Sequence, residues 1–227
     1  VTRSGVPVAD ATAILDGPVS SVTRRTSSGR ARRGAVEALV LDAVERLLAG
    51  GEPYTSLGVL RIADEAGVAR SSFYLHFQDK TDLIMRLATS ATDDLFGIAT
   101  AWLRGDGDQS RDGLRDVVRC VVRERRTHGP LLDALEEVAG YDATLSAFWS
   151  ARMEELVSVI RDRMAHEREA GRLVGDADIP ATAHLVAWGV ERAISRPVIG
   201  ARSPEAADEA LVGAIARSIW LALSGTE

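Results

Sequence analysis

The sequence predicts an all-α protein of about nine helices, and three observations carry that class. Apolar residues recur three or four positions apart through most of the 227 residues, which is the period of one helix face. No stretch alternates residue by residue as a half-buried strand does. Residues that cap or break helices fall between the apolar stripes. The pattern divides into residues 1–33, an N-terminal three-helix module containing a helix-turn-helix at 34–85, and a C-terminal helical body at 86–227.

The first segment contains RRTSSGRARR at 24–33, five arginines without an acid. That Ser/Gly-rich composition cannot form a core, so 1–33 is expected to be a flexible basic arm. A helix at 34–49 follows, with Val36, Leu39, Val40, Ala43, Val44, Leu47 and Leu48 inward and Gly50 and Gly51 ending it. Val59, Ile62, Ala63 and Ala66 then repeat at helical spacing, Gly67 supplies a bend, and a second short helix begins. At about 100° per residue, Phe73 and Phe77 share one side of it, and Arg70, Ser71, Ser72, Tyr74 and His76 spread over the rest. Such a helix can bury two aromatics and still present polar groups to the DNA major groove.

Asp79 should cap a long helix over 80–104, because Ile84, Leu87, Ala88, Ala91, Leu95, Ile98, Ala99 and Trp102 keep one register. Such a helix would span about 37 Å and join the module to the body without a linker. Gly105 and Gly107 break the pattern, and further helices are expected at 110–127, 130–139 and 142–170. Another runs from Pro180 to about Arg196, since Pro suits a first helical turn. The last should be opened by Ser203 as cap and Pro204, and reach Leu223.

Residues 62–80 read IADEAGVARSSFYLHFQDK. The run resembles the tetracycline-repressor (TetR) family of one-component bacterial regulators, whose pattern is Ile-Ala-x-x-Ala-Gly-Val-(Ser)-x-x-x-Phe-Tyr-x-His-Phe-x-x-Lys. It departs at two caps: Gly58 and Ala69 stand where Ser or Thr often occurs. Gly is nearly as good a cap, and Leu57 can staple onto Ile62, whereas Ala69 forfeits about 1 kcal/mol of capping. The resemblance implies base or groove contacts by Arg70, Ser71 and Tyr74, and phosphate contacts by Ser72, Tyr74, His76 and Lys80. The chemistry agrees: an arginine can hold guanine O6 and N7 through two hydrogen bonds, and Lys80 opens a helix whose backbone donors suit a phosphate. The body is most similar to the actinobacterial ethionamide-activation repressor type, through Phe148, Trp149, Glu191, Arg192 and Trp220.

Composition bounds the remaining possibilities. With 46% hydrophobic residues the chain can bury a full core, though only 5% are aromatic. The net charge of −6 hides a division: residues 1–85 carry ten basic and ten acidic side chains, and 86–227 carry 17 and 23. Residues 34–80 hold four basic and seven acidic residues, so DNA affinity is expected to depend on the arm. The single cysteine, Cys120, excludes an internal disulfide and fits a reducing cytoplasm; it adjoins an apolar stripe and is expected to be an inert buried thiol. No apolar run approaches a membrane span. The four histidines are scattered, so no metal or cofactor is implied.

In the body, Phe96, Trp102, Trp149, Met153, Trp188, Glu191 and Trp220 are the candidates to line a pocket for a lipophilic effector, with Glu191 or His184 as polar anchor. The last two helices offer small and apolar faces for a homodimer: Leu185, Gly189 and Arg192 on one, Ala207, Leu211, Ala214, Ser218 and Leu221 on the other. A two-fold dimer would set two recognition helices on a palindromic operator. The expected function is therefore a ligand-responsive transcriptional repressor, not an enzyme. Two alternatives compete: an α-helical hydrolase using Ser72 and His76 as nucleophile and base, and a helical ligand-binding or interaction module without DNA function.

Overall fold

A computed structural model describes the backbone of residues 22–173, 175–196 and 203–224, with side chains from residue 34 onward. Within these the order is α1 (Val22–Ala49), a 3-10 turn (Tyr54–Ser56), α2 (Val59–Ala66), α3 (Arg70–His76), α4 (Lys80–Leu103), α5 (Arg111–Thr127), α6 (Gly129–Ala139), α7 (Ala143–Glu169), α8 (Ile179–Ile194) and α9 (Pro204–Ser224). No strand occurs among the described residues.

Local chemistry explains most of the boundaries. Asp79 accepts a hydrogen bond from the Asp82 amide at 2.8 Å and so caps α4. Asp142, Asp178 and Ser203 do the same for α7, α8 and α9. Gly67 closes α2 in the left-handed region at φ 66°, a conformation that favours glycine. Gly58 and Ala69 start α2 and α3 with no side-chain cap, and Leu57 is buried with Ile62 as the staple requires. Gly113 is needed for another reason: a Cβ there would lie 2.1 Å from the Asp108 carbonyl oxygen.

The chain departs from expectation at its start. α1 begins at Val22 rather than at 34, so the backbone of the arginine run at 24–33, expected in a basic arm, continues the helix; residues 1–21 lie outside the described residues. Arginine and alanine are strong helix formers, and the single glycine of the run, Gly29, costs only about 1 kcal/mol. Leu39, expected inward, is half exposed because it stands at the margin of the stripe that Val40, Ala43, Val44, Leu47 and Leu48 bury.

Two cores result. The first joins α1, α2, α3 and the first half of α4, and it also takes Leu131, Leu132, Ala134, Leu135 and Val138 from α6. The second gathers the second half of α4 with α5, α7, α8 and α9. α4 passes through both and, at about 36 Å, is the structural member common to module and body. α6 enters the module's core although it follows α5 in sequence, so the module ends in space later than residue 85.

α3 has only seven residues and cannot persist as an isolated helix; Phe73 and Phe77, both fully buried, hold it. Phe73→Ala should therefore lower unfolding free energy by about 3 to 5 kcal/mol, measured by chemical denaturation.

Candidate nucleic-acid interface and body cavity

With Phe73 and Phe77 facing inward, α3 turns Arg70, Ser71 and Tyr74 to solvent, and Ser72 and His76 lie half-buried at its flanks. The Arg70 guanidinium rests 5.7 Å from the centre of the Tyr74 ring. Leu75 is 83% exposed, a position sequence reasoning passed over although the inward register of Phe73 and Phe77 already turns it outward. No hydrogen bond joins Ser72 to His76 among the described residues, so the nucleophile and base pairing is not formed here.

Half of the module's acids are engaged internally: of the eight in 34–85, Glu37, Glu52, Glu65 and Asp82 have arginine partners. Arg46 pairs with Glu65 at 3.2 Å, and Arg61 with Glu52 at 2.8 Å and Glu65 at 3.2 Å. Arg86 reaches Glu37 at 2.7 Å and Asp82 at 3.1 Å, donates to the His76 carbonyl at 3.0 Å, and lies over the Phe77 ring. It thereby ties α1, the end of α3 and α4 together. Arg70 forms no ion pair among the described residues.

Lys80 is more constrained than expected. Its Nζ donates to the Tyr54 carbonyl at 2.8 Å, the Tyr54 hydroxyl donates back to the Lys80 carbonyl at 2.6 Å, and the ammonium sits 4.6 Å from the Tyr54 ring centre. Burial lowers the ammonium's pKa. Burial, with Tyr141 and Asp79 nearby, pushes the Tyr54 phenol well above its ordinary range, so the phenol stays a donor. Lys80 acts first as a clasp between the 3-10 turn and α4. The Tyr54 partner of Lys80 and the Glu37 partner of Arg86 could not be assigned from sequence, because those bonds span long separations, whereas Arg86 and Asp82 are an i,i+4 pair within α4.

The body contains two adjoining cavities. One, of about 80 Å³, is walled by Trp102, Leu114, Val118, Ile215 and Leu223 among others, all apolar. The other, of about 70 Å³, is walled by Phe96, Trp149, Met153, Arg125, Glu191 and Ser195. Ala99, Val121, Leu156, Ala187, Val190 and Ile194 line both. Pockets for drug-sized ligands run to about 300 Å³ or more, so an effector of that size must part the helices.

Five expected pocket residues, Phe96, Trp102, Trp149, Met153 and Glu191, therefore do meet cavity. Three other assignments need correction. Trp188 lines neither cavity; it stands one position, about 100°, round α8 from Ala187, and its buried indole N–H has no partner among the described residues. Trp220 lines a separate open groove at the end of the body with Trp102, Arg163 and Glu167. His184 is exposed because it lies two helical turns, about 10 Å, up α8 from Glu191. Cys120 is likewise not buried: it lies roughly opposite Val118 on α5, half-exposed, with Arg123 Nη2 3.6 Å from its Sγ.

Polar groups gather at one end of the second cavity. Arg125, itself buried, pairs with Asp133 at 2.6 Å and with Glu136 at 3.5 Å, and donates to the Gly129 carbonyl. Ser195 Oγ lies 3.0 Å from both Glu136 and Glu191 carboxyl oxygens. One hydroxyl proton cannot serve two carboxylates, so the second contact is satisfied when a carboxyl carries a proton. Glu191 is the group disposed to do so: burial raises its pKa and the Glu136 charge adds to the rise, against Ser195, Arg192 and Arg125, which lower it.

On the outer face, α8 and α9 leave a groove lined by Leu185, Gly189, Leu211, Ala214 and Ser218, with Leu185 71% exposed. Ala207 does not join it. An ion pair between Arg126 and Asp208 at 2.9 Å holds the first turn of α9 down on α5, which buries Ala207.

The raised Glu191 carboxyl has a pH consequence. Its protonated form favours the fold, so its stabilisation is complete below the ordinary Glu range and is lost as pH rises through the raised value. As pH rises above the ordinary Glu range, wild type should lose thermal stability relative to Glu191→Gln; a difference in Tm that stays constant with pH would contradict the assignment.

Comparison with known proteins agrees with this geometry. The family model described as bacterial regulatory proteins, tetR family, matches residues 40–87. The HTH-type transcriptional repressor Rv1474c of Mycobacterium tuberculosis is 27% identical over 139 residues, which are 60% of this chain and 68% of that one. Two solved structures share the fold. The regulatory protein TetR from Rhodobacter sphaeroides has TM-score 0.59 and 22% identity, covering 80% of this chain and 95% of that one. The SmeT–triclosan complex has TM-score 0.61 and 20% identity, covering 83% and 90%. With α2, Gly67 and α3 inside the matched segment, residues 40–87 are similar to the bacterial regulatory proteins of the tetR family, and the helical body behind them shares the fold of the solved structures.

Proposed function

We propose that this protein is a sequence-specific transcriptional repressor that binds a palindromic operator as a homodimer and is released by a lipophilic effector held in the body. The observation that carries the reading is the outer face of α3: Arg70, Ser71 and Tyr74 point to solvent, and Arg70 alone among the four arginines of 34–87 has no ion pair among the described residues. Arg70, Ser71 and Tyr74 then meet bases, with Leu75 placed to contact a thymine methyl. Ser72, His76 and Lys80 meet phosphates, Lys80 through the ammonium hydrogens left over from Tyr54. Residues 34–85 are the DNA-binding domain and 86–227 the ligand-binding and dimerisation domain.

Dimerisation through the α8 and α9 face would cover Leu185 and place two α3 helices near one DNA turn apart, about 34 to 36 Å. An effector that parts the helices around the two cavities displaces α4, and through Glu191, Ser195 and Glu136 it also reaches α6. Both helices enter the module's core, so their movement changes α3 spacing. A coupling of about 1 to 3 kcal/mol weakens operator affinity roughly 5- to 150-fold. A protein of this fold has been solved with triclosan, which supports a lipophilic occupant.

The test is DNA selection followed by affinity measurement at fixed salt. Arg70→Ala and Tyr74→Ala should each weaken the selected site by about 1 to 3 kcal/mol; unchanged affinity in both would refute the contact assignment. Replacing the five arginines of 24–33 by glutamine should flatten the salt dependence of binding, and an unaltered slope would remove that segment from the interface.

A further inference from the structure

We propose that the effector is an amphiphilic cation, an ammonium head held by Glu191 with an aliphatic tail running into the adjoining apolar cavity. The inference rests on the body cavity being the effector site and names the chemistry it selects.

Consider the polar groups on the cavity wall. Apart from the indole N–H of Trp149, only Arg125, Glu191 and Ser195 have polar side-chain groups there. Arg125 is the obvious anchor for an acidic ligand, yet its guanidinium is already committed to Asp133, Glu136 and the Gly129 carbonyl. An anion brought to it would have to displace a carboxylate 2.6 Å away and would sit beside two others. Glu191 is in the opposite position. Its carboxyl lies in hydrogen-bond contact with Ser195 Oγ at 3.0 Å and makes no ion pair among the described residues, and Arg192, next to it in sequence, turns to Glu136 at 3.9 Å.

The charge count at this junction favours the same partner. Asp133, Glu136 and Glu191 are three acids against Arg125 and Arg192, and the acid left over is the one facing the cavity. A buried carboxylate without a counter-charge is costly, so it either holds a proton or takes a cation. An ammonium group entering the site replaces that proton, which leaves to solvent as Glu191 ionises, and the resulting pair is shielded from water. Phe96 and Trp149, packed edge-on with centroids 6.2 Å apart, form the wall beside it; the Arg152 guanidinium already lies over the Phe96 ring at 5.2 Å, so the Trp149 ring is the one that suits a desolvated cation.

The opposite end sets the tail. Beyond Ala99 and Leu156 the lining is apolar throughout, and the one indole N–H there, from Trp102, is spent on the Asp108 carbonyl at 2.7 Å. A second polar group on the ligand would find no partner. Head and tail requirements together describe a primary or substituted alkylamine rather than a fatty acid or a sugar.

The test compares three probes of one chain length, octylamine, octanol and octanoate, by isothermal titration to the full-length protein without DNA. Wild type should bind octylamine about 10- to 100-fold more tightly than octanol, as one charge-assisted contact allows, and octanoate most weakly. Glu191→Gln should abolish the preference of octylamine over octanol. Ala99→Phe, at the waist common to both cavities, should weaken octylamine and octanol alike; thermal melts of both variants establish that they are folded. Equal binding of the three probes, preference for octanoate, failure of all three to bind, or retained preference in folded Glu191→Gln would overturn the proposal. None of these outcomes touches the operator assay with Arg70→Ala and Tyr74→Ala, so the DNA-binding reading stands or falls separately.

Discussion

The position of α6 governs this molecule. By burying Leu131, Leu132, Leu135 and Val138 against α1 and α4, a helix of the body becomes part of the core that holds α3. The module is therefore not a bead on a string. Its orientation is fixed by the same apolar burial that stabilises it, and α4, shared by both cores, adds a second attachment. Rearrangement around the cavities is transmitted or resisted at these helices and at the start of α7, whose Leu145 is buried in the same core, because packed cores move between discrete arrangements rather than deforming smoothly.

Electrostatics complement that mechanical arrangement. Within the module, Glu37, Glu52, Glu65 and Asp82 are occupied by Arg46, Arg61 and Arg86. These exposed pairs contribute little to stability individually. Their larger effect is to offset part of the acidic charge that would otherwise repel a phosphate backbone.

Much of this organisation was legible in the sequence because it is local. Asp79, Gly67 and Ser203 act at helix ends through neighbours within a few residues, and the period separating Phe73 and Phe77 from Arg70 and Tyr74 is a property of one helix. Features depending on how helices rotate against one another were less accessible. Trp188 and His184 share a helix with Glu191 but miss the cavity, and Trp220 faces another groove; sequence spacing does not define which part of an apolar surface encloses space. The long-range partners of Arg86 and Lys80, Glu37 and Tyr54, were hidden for the same reason. The extension of α1 through 24–33 has a different origin: the helix-forming tendency of arginine and alanine offsets the Ser and Gly content there.

The clasp between Lys80 and Tyr54 has a chemical corollary. Lys80 is the chain's single lysine among 27 basic residues, so every amine-directed acylation of a side chain converges on one nitrogen. That nitrogen is hydrogen-bonded at 2.8 Å and half-buried, so its reactivity is reduced while the 3-10 turn is seated on α4. An acyl group, once attached, would erase the charge and with it the ammonium's contact with the Tyr54 ring. The rate of acylation at this nitrogen consequently reports on how firmly the 3-10 turn is held at the base of the helix-turn-helix module.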